Sequence, residues 1–541
     1  MPETAIDARE ASFDLANTIA DVRTAQREWQ VFSIRDRLTV VRKLRGLIAK
    51  DPRGLTDCCN RANVAETLAA EVLPVADACR FLEKTALSTL KSKRLSGRGR
   101  SVWLRGVSVE LQRDPFGVVL IVAPSNYPLM LPGIQAIQAL VAGNAVLWKP
   151  AAGCAAAGHA LRQMFVGAGL DGRLLTILPD TIEATQHAVE AGVDKVVLTG
   201  SVPTGRAIQS LLTDKLTPST VELSGCDAMF VTPTADLDRA ARCLVMGLMF
   251  NGSRTCIAPR RVFVDKAMVS QFQERLLSTL RARVPSPPRE TCEDTHDLHS
   301  GERVRVRGPE ARTNADEVIQ TKRDPLTPAL SPDSSCKGVG SSLAGERGHS
   351  ASARQMMEAA IAAGAKVLHG NPTVLTEVTP DMDIANSDVF EPVTSIMPYG
   401  TIDQAIWMND QCPYALGATV FGADDAAVAE LVRRIDAGCI VVNDMIVPTA
   451  DPRVPFGGRK QSGFGITRGT AGLEEMTQLK AIVRQRSSWL PHLDEPTPVD
   501  ADVLAGLIQT LHAPSLFGRM KNSFGLLRAT LAQRKYRKKN N

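Results

Sequence analysis

Aromatic residues are scarce in this chain, only 4% of its 541 residues, so a core stitched by stacked rings is not expected. No uninterrupted apolar run reaches the roughly twenty residues that a membrane-crossing helix needs, and no such helix is expected. The start, MPETAIDAREASFDLA, carries Glu3, Asp7 and Glu10 where a secretory signal would have a basic residue and an apolar stretch. Cysteine is present eleven times, but singly except for Cys58 and Cys59, and no CxxC is matched by a second CxxC or a His pair. Neither a zinc centre nor a disulfide framework is therefore expected, and a reducing, cytoplasmic setting fits best. A large basic excess is missing as well. The formal charge is +5, but Arg519–Lys539 alone holds eight Lys and Arg and no acid, so the rest of the chain is slightly acidic and gives nucleic-acid binding no electrostatic support.

What the chain does hold is a carboxylate set thirty-four positions before a cysteine among small and polar residues: VELSGC at Val221–Cys226 and FNGSRTCIAPRR at Phe250–Arg261. A thiolate attacks a carbonyl carbon readily, and after loss of a hydride the resulting thioester needs a water that a base has activated. Cys256 and Glu222 suit those two tasks. Either alone is also explained as structural, since most lone cysteines are buried, inert thiols.

At 541 residues the chain exceeds one compact core, and two or three domains are expected. Residues 1 to about 95 read as successive helices, with Leu38, Val41, Leu44, Leu47 and Ile48 at helical spacing. Ser96–Arg100 is a loop signal, followed by an alternating, strand-like stretch. From Gly117 the pattern becomes a buried β-type run ending at the turn Pro124-Ser-Asn-Tyr-Pro128, then a helix, then AVLWKP at Ala145–Pro150. Strand, turn, helix, strand is a βαβ unit, which builds a parallel sheet with ligands at the carboxyl ends of its strands; Asn126 would sit at one such end. A further unit leads to VDKVVLTGSVPTGRAIQ, where Gly200, Ser201 and Gly205 lie between a strand and a helix start. Glycines there let backbone approach a pyrophosphate, although a plain strand-to-helix turn accounts for GSxxxG about as well.

Taken together, PSNYP, LWKP, LTGSVPTG, VELSG, FNGSRTC, DVFEPV at Asp388–Val393 and PFGGRKQSG at Pro455–Gly463 resemble, in order and spacing, the motifs of the aldehyde dehydrogenase superfamily. The resemblance implies an α/β fold: a Rossmann-type cofactor domain (1–100 and 116–224), an α/β catalytic domain (225–464) and a small β oligomerisation element (101–115 and 465–485). It implies NAD(P)-dependent oxidation of a small aldehyde to its acid in a homo-oligomer, dimer or tetramer. Cys256 would be the nucleophile, Asn126 would hold the oxyanion with the Cys256 backbone N–H, and Glu222 would activate water. Lys149 would reach the adenosine ribose, Ser201 with Gly200 and Gly205 the pyrophosphate, and Asp388 with Phe390 the nicotinamide end. Acyl transfer to coenzyme A is the alternative outcome, disfavoured by the presence of Glu222; a non-catalytic binding or scaffold role is a third.

Several positions depart from the family pattern. Ala152 stands where a glutamate usually follows the lysine, which removes a reason to exclude NADP, so NAD or NADP is expected. Asp388 shortens the usual Glu, Ser224 replaces a glycine, and Ile466-Thr467 replaces an Arg-Glu pair. Ser253-Arg254 replaces Gly-Gln, with Arg254 expected to face solvent. Residues 285–350 contain no Phe, Trp or Tyr and are rich in Pro, Ser, Gly and mixed charge; they read as a disordered surface insertion, and Cys292, His296 and His299 within it as part of that polar tract rather than a metal site. Residues 486–541 go beyond the resemblance and form a basic, amphipathic tail, expected to dock on its own protein in preference to an anionic membrane surface.

Overall fold

The computed structural model describes residues 15–283 and 353–540, apart from 60, 62, 102, 103, 105, 424 and 489. The expected insertion and its Cys292, His296 and His299 lie outside the described residues. The chain forms two compact units: residues up to Lys91 with Arg113–Gln478, and Ser92–Gln112 with the residues from Leu479 onward.

In the larger unit, helices come first, as the apolar spacing predicts. Ile34–Lys50 starts at a capping box, in which the Ser33 hydroxyl and the Asp36 carboxylate satisfy each other's backbone N–H, and it buries Leu38, Val41, Leu44 and Ile48. The chain then builds a six-stranded sheet in the order Gly463–Phe464, Ser219–Leu223, Lys195–Gly200, Val118–Val122, Ala145–Lys149, Leu175–Ile177. The last five run parallel. Val118–Val122 is apolar at every position because both of its faces are covered. The helix Met130–Ala142 is buried along its whole length, and Gly143 ends it in the left-handed conformation.

After Leu223 the chain leaves this sheet and enters a seven-stranded one, ordered Lys366–Gly370, Thr373–Thr376, Val393–Tyr399, Pro259–Asp265, Asp227–Val231, Gly417–Phe421, Cys439–Val442. Neighbouring residues in its central strands serve opposite faces. Phe230, Phe263 and Met397 enter one core, and Met229, Val262 and Ile396 the other.

The two sheets are joined by more than chain continuity. Gly463–Phe464, from far along the chain, pairs antiparallel with the edge strand of the first sheet, Gly463 opposite Glu222. Ser462 adds to this: its carbonyl accepts from Leu223 N–H at 3.0 Å, and its hydroxyl donates to the Ser224 carbonyl at 2.8 Å while accepting from Ala415 N–H. The motif PFGGRKQSG is glycine-rich because backbones meet here: a Cβ on Gly458 would lie 1.9 Å from the Ser462 carbonyl oxygen, and one on Gly463 2.0 Å from that of Val221.

The smaller unit holds most of a three-stranded sheet, ordered Lys93–Arg94, Val107–Pro115, Thr477–Gln485. Its tail forms two packed helices, Pro498–His512 and Leu516–Asn540.

Gly463 combines a φ of +99° with a backbone oxygen where a side chain would begin. Gly463→Ala is expected to destabilise by roughly 2 kcal/mol or more, seen as a clear drop in melting temperature; a variant melting within a degree of the parent would contradict the pairing.

Candidate active site

Glu222 lies in the strand Ser219–Leu223 and is fully buried. Its Oε2 accepts from the Thr467 hydroxyl at 2.8 Å, while its Oε1, also buried, has no hydrogen-bond partner. The Glu222 side chain lines a cavity of about 150 Å3 whose wall also includes Cys256, Tyr127, Thr255 and Arg468, the remainder being largely apolar: Ala69, Ala70, Met130, Leu131, Phe250 and Ile446 among others. Burial raises the Glu222 pKa, opposed by the charge of Arg468 and the bond from Thr467.

Cys256 is half-buried and follows a strained turn. Asn251, Gly252 and Ser253 have φ of 53°, 59° and 64°, three successive left-handed residues. For Ser253 this conformation costs about 1–2 kcal/mol, and Arg260 holds it: its guanidinium donates to the Ser253 hydroxyl at 2.8 Å and to the Ser253 carbonyl at 2.7 Å. Burial pushes the Cys256 thiol well above its ordinary pKa, and the charges of Glu222 and Asp227 push it further; Arg468 pulls it down. The arginine that acts on the thiol is thus Arg468. Arg254 is exposed, as expected.

Arg468 is buried against the Phe456 ring, 4.2 Å from its centroid, and donates to the Thr449 carbonyl. It follows Thr467, so one segment supplies Glu222 with a hydroxyl and a nearby cation. Nothing in the residue pattern marked Arg468 beforehand, although the departure at Thr467 was visible.

The turn carrying Asn126 is tied to the nucleophile loop through backbone and neighbours. The Asn126 carbonyl accepts from Asn251 Nδ2 at 2.9 Å and from Arg61 at 2.8 Å, and the Tyr127 hydroxyl shares a 2.7 Å hydrogen bond with the Thr255 hydroxyl. Arg61 also pairs with Glu71 at 3.0 Å and lies over the Tyr127 ring. Glu71, wholly buried, accepts from the N–H groups of Met130 at 2.6 Å and Leu129 at 3.3 Å, and burial lifts its pKa to about 7 in spite of them. A carboxylate inside the apolar stretch LAAEVLP was the signal that could have singled out Glu71. The Asn126 amide oxygen accepts from Tyr127 N–H, which leaves its NH2 as the donating end; Asn126 is not among the residues lining the cavity.

The residues assigned to the cofactor lie elsewhere. Lys149 ends its parallel strand, and Gly200 ends another. Ser201 caps the helix Val202–Leu212 by accepting from Thr204 N–H. At Gly205 a Cβ would fall 2.8 Å from the Leu223 methyl carbons, so this glycine has a packing reason independent of any pyrophosphate. Asp388 precedes the strand Val393–Tyr399; its Oδ1 is buried without a partner, and burial raises its pKa to about 6 against the pull of the Ser224 hydroxyl and Arg260. Phe390 is exposed. Two end-of-strand groups, a capped helix N-terminus and a buried carboxylate oxygen without a partner suit a dinucleotide: a lysine for the adenosine ribose, N–H groups for the phosphates and an acceptor for a hydroxyl at the nicotinamide end.

Comparison with known proteins identifies the family. The model of the Aldehyde dehydrogenase family matches residues 4–296 and 344–482. The chain belongs to the aldehyde dehydrogenase family. The stretch 297–343, inside the expected insertion, has no counterpart in that match. Succinate-semialdehyde dehydrogenase [NADP(+)] 1 of Mycobacterium ulcerans (strain Agy99) is 29% identical over 375 residues, 68% of this chain and 73% of that protein. A 4,4'-diapolycopene aldehyde oxidase of a Methylomonas species is 27% identical over 437 residues, 79% and 74%. The crystal structure of an NAD-dependent aldehyde dehydrogenase from Sinorhizobium meliloti superposes with a TM-score of 0.70 at 23% identity, covering 89% of this chain and 88% of that one. The shared fold is that of an aldehyde dehydrogenase, Rossmann-type and catalytic domains included.

The base role that the resemblance implies for Glu222 needs the ionised carboxylate, so turnover is expected to fall as pH drops through the Glu222 pKa. Thr467→Ala removes a bond that lowers this pKa, and the acidic fall in kcat is expected to begin at higher pH than in the parent. A pH profile that is unchanged, or displaced downward, would contradict the role given to Thr467.

Proposed function

We propose that this aldehyde dehydrogenase oxidises an apolar aldehyde to the free carboxylic acid through a covalent bond to Cys256. The observation that carries the reading is that Cys256 and Glu222, whose buried Oε1 has no hydrogen-bond partner, line one cavity. The thiol proton leaves to solvent, and the Arg468 charge favours the thiolate that remains. The sulfur attacks the carbonyl carbon, a C–S bond forms, and the oxygen becomes an anion that the Asn126 NH2 and the Cys256 N–H would receive. NAD or NADP, when bound, accepts the hydride that converts this adduct to a thioester; Lys149, Gly200, Ser201, Asp388 and Phe390 are the residues that would hold it. Glu222 then takes a proton from water, the hydroxide attacks the acyl carbon, the C–S bond breaks, and the thiolate is restored with release of the acid.

Hydrolysis, in preference to transfer to coenzyme A, follows from a base held ready at the acyl site. Ala152 is exposed and carries no charge against a 2′-phosphate, which supports use of either dinucleotide. An apolar substrate is favoured because Arg468 and Glu222 are the charged side chains lining the cavity and each faces the other's field. A relative named for a carotenoid-derived aldehyde is in keeping with this, while another is named for a semialdehyde that carries a carboxylate. The low identities make neither substrate transferable.

A panel of aldehydes graded by polarity, each offered with NAD and with NADP, tests the reading. Both dinucleotides are expected to be reduced with acid as product, medium to long alkyl aldehydes are expected to exceed succinate semialdehyde in kcat/KM, and Cys256→Ala is expected to lose at least about a thousandfold in kcat. Full activity in that variant, acid release dependent on coenzyme A, or a preference for the charged aldehyde would each contradict it.

A further inference from the structure

The two helices that end the chain, Pro498–His512 and Leu516–Asn540, lie beyond the part that matches the family, and the second presents faces of different character. Toward its partner helix it turns Asn522, Leu526, Thr530, Gln533 and Arg537, all partly buried. Asn522 donates to the Gln509 carbonyl, Gln533 to Asp500, and Arg537 pairs with Asp494 and Asp500. Gly506 allows the close approach: a Cβ there would meet the Leu526 Cα at 3.1 Å.

The opposite face carries Phe517, Met520, Phe524, Leu527 and Leu531, spaced three and four apart and therefore in one stripe. All five are exposed, Phe517 at 80% and Phe524 at 68%, and Leu516, with Leu504 and Ile508 on the first helix, is exposed too. Such a run of large apolar side chains on a water-facing surface marks a contact site. Its flanks identify the occupant. Lys521, Arg528, Arg534, Lys535, Lys538 and Lys539 are exposed around and beyond the stripe, and no acid follows Asp502. The acids of this segment, Asp494, Glu495, Asp500 and Asp502, cluster at the start of the first helix, where Arg537 engages two of them. No helix among the described residues is long and apolar enough to cross a membrane.

We propose that this helical hairpin lies on an anionic lipid surface, with the Phe517–Leu531 stripe inserted at the level of the headgroups and the surrounding lysines and arginines against lipid phosphates. A basic helix with an apolar stripe binds in this way, through buried apolar area and charge together. The inner face of the second helix packs on the first helix of the same tail, and the proposal replaces the expectation that the tail docks on its own protein.

The full-length protein, sedimented with vesicles of phosphatidylcholine alone or with one third phosphatidylglycerol, tests the proposal. Binding is expected to be at least about tenfold tighter on the anionic vesicles and to be largely lost in 0.5 M salt. Phe524→Asp with Leu527→Asp, and separately Lys535→Glu with Lys538→Glu, are expected to abolish it while leaving melting temperature and aldehyde oxidation unchanged, since these side chains face solvent. Equal binding to neutral vesicles, no binding, or binding indifferent to these variants would overturn the proposal. So would a drop in oligomer size in the Phe524 variant without any vesicle binding by the parent, which would assign the stripe to a second copy of the chain.

Discussion

The pairing of Gly463 with Glu222 is the constraint on which the site depends. Glu222 sits on the outermost parallel strand of the first sheet, where an edge would otherwise lie open to water. The antiparallel segment that covers this edge comes from some two hundred and forty residues further along, and the next turn of the same segment delivers Thr467 and Arg468. One backbone contact thus covers a sheet edge, buries a carboxylate and supplies that carboxylate with one hydroxyl and one nearby cation. Because the hydroxyl takes only Oε2, the other oxygen is left without a partner, on a side chain that lines the cavity.

The nucleophile is placed by a second, independent set of constraints. A left-handed run at Asn251–Ser253 turns the chain so that Cys256 reaches the cavity, and Arg260 and the amide of Asn251 fix the turn against neighbouring backbone. The Asn126 turn is in its own turn held by Arg61 and Glu71 from the first helical region. Electrostatically the site leans negative: Glu222, Asp227 and Asp388 all raise the thiol's pKa, and Arg468 lowers it. Such a balance suits a thiol that stays inert until substrate and cofactor are in place.

The βαβ units of the first sheet were legible because buried parallel strands write themselves as unbroken apolar runs, GVVLIV and AVLW, each closed by a turn, whereas the strand orders were not. Cys256 and Glu222 were legible because their motifs are short and contiguous. What could not be read was anything that joins distant segments. Thr467 looked like the loss of a family acid, and the structure shows it instead as the hydroxyl that holds Glu222. Arg468, Arg260 and Arg61 carry no local pattern, and their importance comes only from burial, whereas Glu71 has a local signal in its place within an apolar stretch. Gly205, read as a phosphate-approach glycine, is also required by the Leu223 side chain. The tail was read as one amphipathic segment, whereas Ala513–Ser515 divides it into two helices that hide one face and leave the other bare.

The account claims that Cys256 carries the acyl group and that Glu222 is needed to remove it. Mass spectrometry of Glu222→Gln after incubation with aldehyde and NAD or NADP tests both at once. The peptide bearing Cys256 should gain the mass of the aldehyde less two hydrogens, in amounts the parent enzyme does not accumulate. An adduct on another of the cysteines, or no more adduct than in the parent, would contradict it.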